Sequence, residues 1–204
     1  MKKFFSTLCL ISLLFCAVCF GISCAKDEEV SLQMMDISSM TDGELAAFVE
    51  LGEYRGLTLT HSGKTKSEAI WDEIHSRAKI NSYPEQQVEY YFNQARAQYE
   101  YYAKEADMSY EDMLAELGLS EDSMLADARR MAIGDVISEM IRRKEQIELT
   151  DAEKRTHFDR YAKKYADDYG YSTEYVKENM SELIYESMLR DKVTEFLIIE
   201  NTFN

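Results

Sequence analysis

The sequence predicts an all-α protein. Three observations carry that prediction. The chain has one proline and eight glycines in 204 residues, with abundant Glu, Lys, Ala, Met and Tyr. Apolar residues recur at spacings of three and four along most of its length. Serine or threonine stands at the head of several such runs, where a side-chain oxygen can accept a first-turn N–H.

Taken in order, residues 25–40 show no sustained period and read as a tether. Residues 51–60, L-G-E-Y-R-G-L-T-L-T, alternate Leu57 and Leu59 with threonines and predict one short extended segment. Everything after Ser67 reads as helical. Ser67 is the expected cap of a helix that places Ile70, Trp71 and Ile74 on one face. Ser82-Tyr83-Pro84-Glu85 combines a capping box with a proline in the first turn. The helix beyond it carries Val88, Tyr91, Phe92, Ala95, Tyr99, Tyr102 and Ala106 as one stripe.

Ser109 opens a short helix that stops at Gly118, and Ser120 caps a long one. That long helix has paired apolar residues, Ala132-Ile133, Val136-Ile137 and Met140-Ile141, so it should be buried from two sides. Thr150 and Glu153 form another capping box for a helix ending near Gly170. A last helical region runs from Thr173, with a break expected near Asn179.

All four cysteines, at positions 9, 16, 19 and 24, lie in the N-terminal segment. Lys2 and Lys3, an apolar stretch over residues 4–20 and Gly21-Ile22-Ser23-Cys24 form a secretory signal rather than a membrane span. The ending resembles the lipobox of bacterial lipoproteins, although Gly21 stands where that family usually has Leu. The resemblance implies cleavage before Cys24 and lipid on its thiol. The other reading is a plain signal peptide that contains cysteines. After cleavage Cys24 would be the only thiol, so no internal disulfide could form and the fold would rest on its core. Loss of Lys2 and Lys3 leaves 38 acidic against 21 basic residues, a net charge of −17. That balance argues against direct binding of nucleic acid or an anionic membrane surface. The expected organisation is signal 1–23, lipidated tether 24–45 and helical domain 46–204, held at the extracytoplasmic face of the cell membrane.

M-S-Y-E-D-M-L-A-E-L-G-L-S-E-D-S-M-L-A-D-A-R, then R-R-K-E-Q-I-E-L-T-D-A-E, then D-K-V-T-E-F-L-I-I-E-N follow one another in this chain. Their order resembles the C-terminal chaperone domain of trigger factor, in the superfamily it shares with SurA-type chaperones. Y-R-G-L-T-L-T, I-W-D-E-I and Y-P-E-Q-Q-V extend the resemblance upstream, to about residues 49–201. It implies an extended helical arm-and-cradle fold that holds unfolded or secreted polypeptides. Only six residues separate Thr60 from Ser67, too few for the isomerase domain of that family, which needs about 50 or more. No prolyl isomerase activity is expected.

The residues agree with a binding role. Met and Tyr, 11 and 14 in number, give adaptable, water-tolerant apolar surface, though at helical spacing they also serve as core filling. Tyr90, Tyr91, Phe92, Tyr101 and Tyr102 are the candidate polypeptide contacts. Tyr90 and Tyr101 stand about 100° from the inward stripe that holds Tyr91 and Tyr102, and are expected at its rim. His61, His75 and His157 are scattered and lack clustered ligands, so no metal is expected. Gly63-Lys64-Thr65 lacks the earlier glycine of a phosphate loop, since Thr58 stands there, and no nucleotide or other cofactor is expected. No G-x-S-x-G elbow is present, and the chain does not read as an enzyme.

Two functions fit these features: a membrane-tethered, ATP-independent holdase, or a structural adaptor lipoprotein that docks one folded partner. Under either, Cys24 anchors the chain. Cys24→Ala should therefore move the protein from the membrane fraction to the soluble exported fraction. Unchanged membrane association would remove the lipid assignment.

Overall fold

Helix starts in this chain are set by side chains that take over the unpaired N–H groups of a first turn. The computed structural model describes residues 34–169 and 171–204. The expected signal, Cys24 and the first part of the expected tether lie outside the described residues. A 3-10 turn at Ile37–Ser39 comes first, then α1 (Asp42–Phe48), β1 (Val49–Glu50), β2 (Thr58–Leu59), α2 (Lys66–Arg77) and β3 (Lys79–Ile80). α3 (Glu85–Glu105), α4 (Tyr110–Leu117), α5 (Glu121–Lys144), α6 (Asp151–Tyr169), α7 (Thr173–Asn179), α8 (Ser181–Ile199) and β4 (Thr202–Phe203) complete the order. The described residues are mostly helical, and the class is all-α. No helix among them is long and apolar enough to cross a membrane.

Several expected boundaries hold and others move for clear reasons. Ser109 and Ser120 cap α4 and α5. Gly118 ends α4 in the left-handed region, at φ 68°, and lets the Leu119 N–H reach the Leu114 carbonyl at 2.9 Å. α2 is capped by Thr65 rather than Ser67, because Glu68 lies three residues after Thr65 and closes a reciprocal capping box. The residue three after Ser67 is Ile70, which has nothing to return. Ser82 makes no capping box either. Its hydroxyl donates to the Ala47 carbonyl and its N–H to the Phe48 carbonyl, so a tertiary contact takes it and Pro84 stands at the start of α3.

The tether expected over 24–45 also ends earlier than its far boundary. Residues 34–40 pack on the body and α1 begins at Asp42 behind a Thr41–Glu44 capping box. Instead of one extended segment there are four two-residue strands among the described residues. β1 pairs antiparallel with β3, Val49 opposite Ile80, and β2 pairs parallel with β4, Thr58 opposite Thr202.

The chain forms two compact units. The larger comprises residues 30–150 and 186–204. α5 is its axis: α1, α2, α3, β1 and the 3-10 turn all lie against it. Ala132, Ile133, Val136, Ile137 and Ile141 are fully buried, as the paired apolar positions require. Around them gather Leu45, Val49, Leu57, Leu59, Ile70, Ile74, Val193 and Leu197. Each such side chain contributes about 1.5–3 kcal/mol by leaving water. Gly52 lets β1 pass close to α2, since a Cβ there would meet the Arg77 carbonyl and lie 2.8 Å from the Arg77 Cβ. Within the smaller unit, over residues 151–185, α6 packs on α7. Ala162, Tyr165, Ala166, Val176, Met180 and Ile184 are buried there, and Phe158 lies 5.2 Å from Tyr185.

Asn201 fastens the C-terminal end of the larger unit. Its Nδ2 donates to the carbonyls of Tyr54 and Leu197 at 3.0 and 2.6 Å, and its Oδ1 accepts from the Leu57 N–H at 2.8 Å. Asn201→Ala would strand three backbone groups and should cost about 2 kcal/mol, read as a lower denaturation midpoint with an unchanged slope. Asn201→Asp should be no milder, because a carboxylate cannot donate to the two carbonyls.

Candidate functional site

The five aromatic candidates of α3 fall into two environments. In the first half of the helix, Val88 meets Ala128 and Ala132 of α5, with Tyr91, Phe92 and Leu125 packed around them. Tyr91 donates its hydroxyl to Asp135 Oδ2 at 2.6 Å. Burial first, and then the Asp135 charge, pushes the Tyr91 phenol well above its usual pKa, so it stays a donor. Gln87 Nε2 donates to the same carboxylate oxygen at 2.8 Å, and Arg190 pairs with Asp135 Oδ1 at 2.5 Å. Tyr91 is thus part of a buried polar network that joins α3, α5 and α8.

Tyr90 was expected at the rim and is instead buried, with 5% of its surface exposed. The reason is the width of the buried face. Gln87, Val88 and Tyr90 are all buried and do not share one helical stripe, so this part of α3 is covered on more than one side. Phe92 is half-buried between the Val88 cluster and a second cluster of Ala95, Leu114 and Met124.

The second half of α3 turns outward. Tyr101 and Tyr102 are 44% and 38% exposed, so Tyr102 does not lie on an inward stripe. Ala103 is the residue buried in this last stretch, about 100° around the helix from Tyr102, and the two tyrosines emerge beside it. Their rings are 6.0 Å apart, and Tyr99 adds a third ring 6.5 Å from Tyr102. Gln98 donates to the Tyr102 hydroxyl at 2.8 Å, which orients that ring. Beside this surface Arg96 lies 5.5 Å over the Tyr110 ring. Three linked phenol rings among charged neighbours can hold apolar side chains without excluding water.

The sequence reading missed two features. In the smaller unit Tyr171 stacks on Tyr175 at 4.9 Å, and Tyr175 is 47% exposed; their four-residue spacing was the available signal. In the larger unit Arg143 gathers backbone carbonyls of the segment before α1, which no pattern in the sequence announces. Among the described residues no group of three or more His, Cys, Asp or Glu could hold a metal ion.

A family model for the C-terminus of the bacterial trigger factor protein matches residues 60–199. The chain belongs to this family. No curated protein and no solved structure shows a significant match to the chain. The trigger factor C-terminus is a chaperone-type domain, not a catalytic one, and the family binds unfolded polypeptide clients. The exposed tyrosines of α3 lie within the matched residues.

One buried base in this trigger factor domain has a readable consequence. His75 of α2 lies against α5, where a Cβ on Gly134 would stand 3.3 Å from its Nε2. Burial, reinforced by the positive charge of Arg130 and opposed by Asp72, lowers its pKa from 6.5 to about 4. The unfolded chain therefore binds this proton more readily than the folded one. The resulting stability is complete above pH 6.5 and is lost as pH falls toward 4. Between pH 7 and pH 4.5 the unsubstituted protein should lose about 2 kcal/mol more than His75→Gln, measured by denaturant unfolding at each pH.

Proposed function

We propose that this protein is a membrane-tethered, extracytoplasmic, ATP-independent chaperone that holds unfolded or secreted polypeptides without isomerising prolines. The observation that carries the reading is the exposed ring surface of Tyr101 and Tyr102, with half-buried Tyr99 beside it, on a chain of the trigger factor C-terminal family. The Gly21-Ile22-Ser23-Cys24 ending of the apolar N-terminal segment supports export and a lipid on Cys24. The short Thr60-to-Ser67 connection supports the lack of an isomerase domain.

A holdase needs apolar contact that releases. Each ring contributes about 1 kcal/mol, so one ring holds nothing and several together hold a segment weakly. The acidic excess of the chain keeps such a surface soluble and its copies apart.

The purified chain should suppress aggregation of several unrelated unfolded proteins. Changing Tyr101 and Tyr102 together to Ser should weaken that suppression by about tenfold or more while leaving the melting temperature unchanged. Full activity in the double variant would move the contact surface elsewhere. No suppression by the unsubstituted chain, together with tight capture of one folded partner, would establish the adaptor function instead.

A further inference from the structure

Residues 34–40 are held in a way that reads backbone more than side chains. The Met35 N–H donates to Gln87 Oε1 at 2.9 Å. Gln87 is 1% exposed, and its Nε2 is fixed on Asp135, which aims the amide oxygen at the segment. At the other end, one guanidinium gathers three carbonyls: Arg143 Nη1 donates to Met40 O at 2.6 Å, and Nη2 to Ser38 O at 2.9 Å and Ile37 O at 3.5 Å, while Nη1 also meets the exposed Asp42 carboxylate at 3.0 Å. Glu139, itself buried, holds Arg143 Nε at 2.6 Å and so fixes the direction of the fork. Between these polar anchors, Ile37 enters the main core and Met35 and Met40 pack against it.

Such a site has the chemistry of a polypeptide receptor. It supplies an acceptor for one chain N–H, donors for two or three carbonyls and an apolar floor for side chains two to three residues apart. The receptor residues Gln87, Asp135, Glu139 and Arg143 lie inside the family match at 60–199, whereas the bound segment lies before it. We propose that the Gln87–Arg143 groove is a binding site for an unfolded chain segment, occupied in cis by residues 34–40, which a client displaces. This rests on the chaperone reading above and adds to it an internal competitor. A client can displace the segment because Ile37 is its one buried side chain, Met35 and Met40 are only partly covered, and the remaining contacts are backbone bonds that any peptide can replace. The polar anchors also set the ligand class: a peptide with apolar side chains two to three residues apart, a free N–H at the Gln87 end and free carbonyls at the Arg143 end.

The test uses a fluorescent peptide of residues 34–41, Met-Met-Asp-Ile-Ser-Ser-Met-Thr, and the full chain carrying Ile37→Ser, which weakens the cis segment and leaves the receptor residues untouched. The peptide should bind the Ile37→Ser chain at least tenfold more tightly than the unsubstituted chain, and adding Arg143→Gln should remove that gain. Equal binding to both chains, or none to either, overturns the proposal. Hydrogen exchange on the unsubstituted chain decides the matter if Ile37→Ser does not fold. The amides of Ile37, Ser39 and Met40 should exchange at least tenfold faster than those of Ile137 and Ile141, and faster still with excess peptide. Exchange of both sets at one common rate, unmoved by peptide, overturns it. Suppression of aggregation by a chain that binds no peptide in the groove leaves the chaperone function standing and removes only the cis competitor. Peptide binding by a chain that suppresses no aggregation keeps the groove and removes the chaperone function.

Discussion

α5 must be buried on more than one side, and the architecture of the larger unit follows from that requirement. Its residues Ala132, Ile133, Val136, Ile137 and Ile141 reach zero exposure, which no single helix laid along it could achieve. Helices α1, α2 and α3 therefore surround it, with β1 and the 3-10 turn closing gaps. Side-chain hydrogen bonds tie distant parts of the unit together. Asn201 ties the C-terminal strand to the backbone around Tyr54 and Leu57. Trp71 donates its indole N–H to Thr194 Oγ1 at 3.0 Å and so links α2 to α8.

Polar groups buried beside this core are connected to one another. Asp135 accepts from Gln87 and Tyr91 and pairs with Arg190, and Glu139 is held by both Arg142 and Arg143. Buried charges of this kind cost desolvation, and apolar residues of the same shape would often stabilise more. What they supply is direction. Apolar packing alone would allow α3 to rotate against α5, whereas a carboxylate with three partners permits one orientation. The same orientation turns the last stretch of α3 so that Tyr101 and Tyr102 face water. The exposed rings are thus a consequence of how the buried half of the helix is fixed.

Much of this was legible in the chain itself. The paired apolar residues of α5, the Gly118 stop, the Ser109 and Ser120 caps and the break near Asn179 all express short-range rules, in which a residue and its neighbours within one turn settle the outcome. The candidate surface was only partly legible. Helical spacing placed Tyr101 outside the inward stripe, and it is exposed. The same spacing puts Tyr90 outside and Tyr102 inside, and both are reversed, because the buried face of α3 does not follow one stripe along its length. The buried face in fact widens over Gln87 to Tyr91 and shifts to Ala103 near the end.

By itself the sequence determined the helical class, most helix limits, the two-sided burial of α5 and the family of the domain, since these depend on periodicity and local hydrogen bonding. Tertiary structure decided which tyrosines meet water, why Ser82 gives its hydroxyl to Ala47 instead of capping α3, and why residues 34–40 lie on the body rather than in a tether. The physical reason is common to all three. Each outcome turns on a partner distant in the chain, Ala47 for Ser82 and Arg143 for residues 37–40, and no local pattern encodes a partner that only folding brings near.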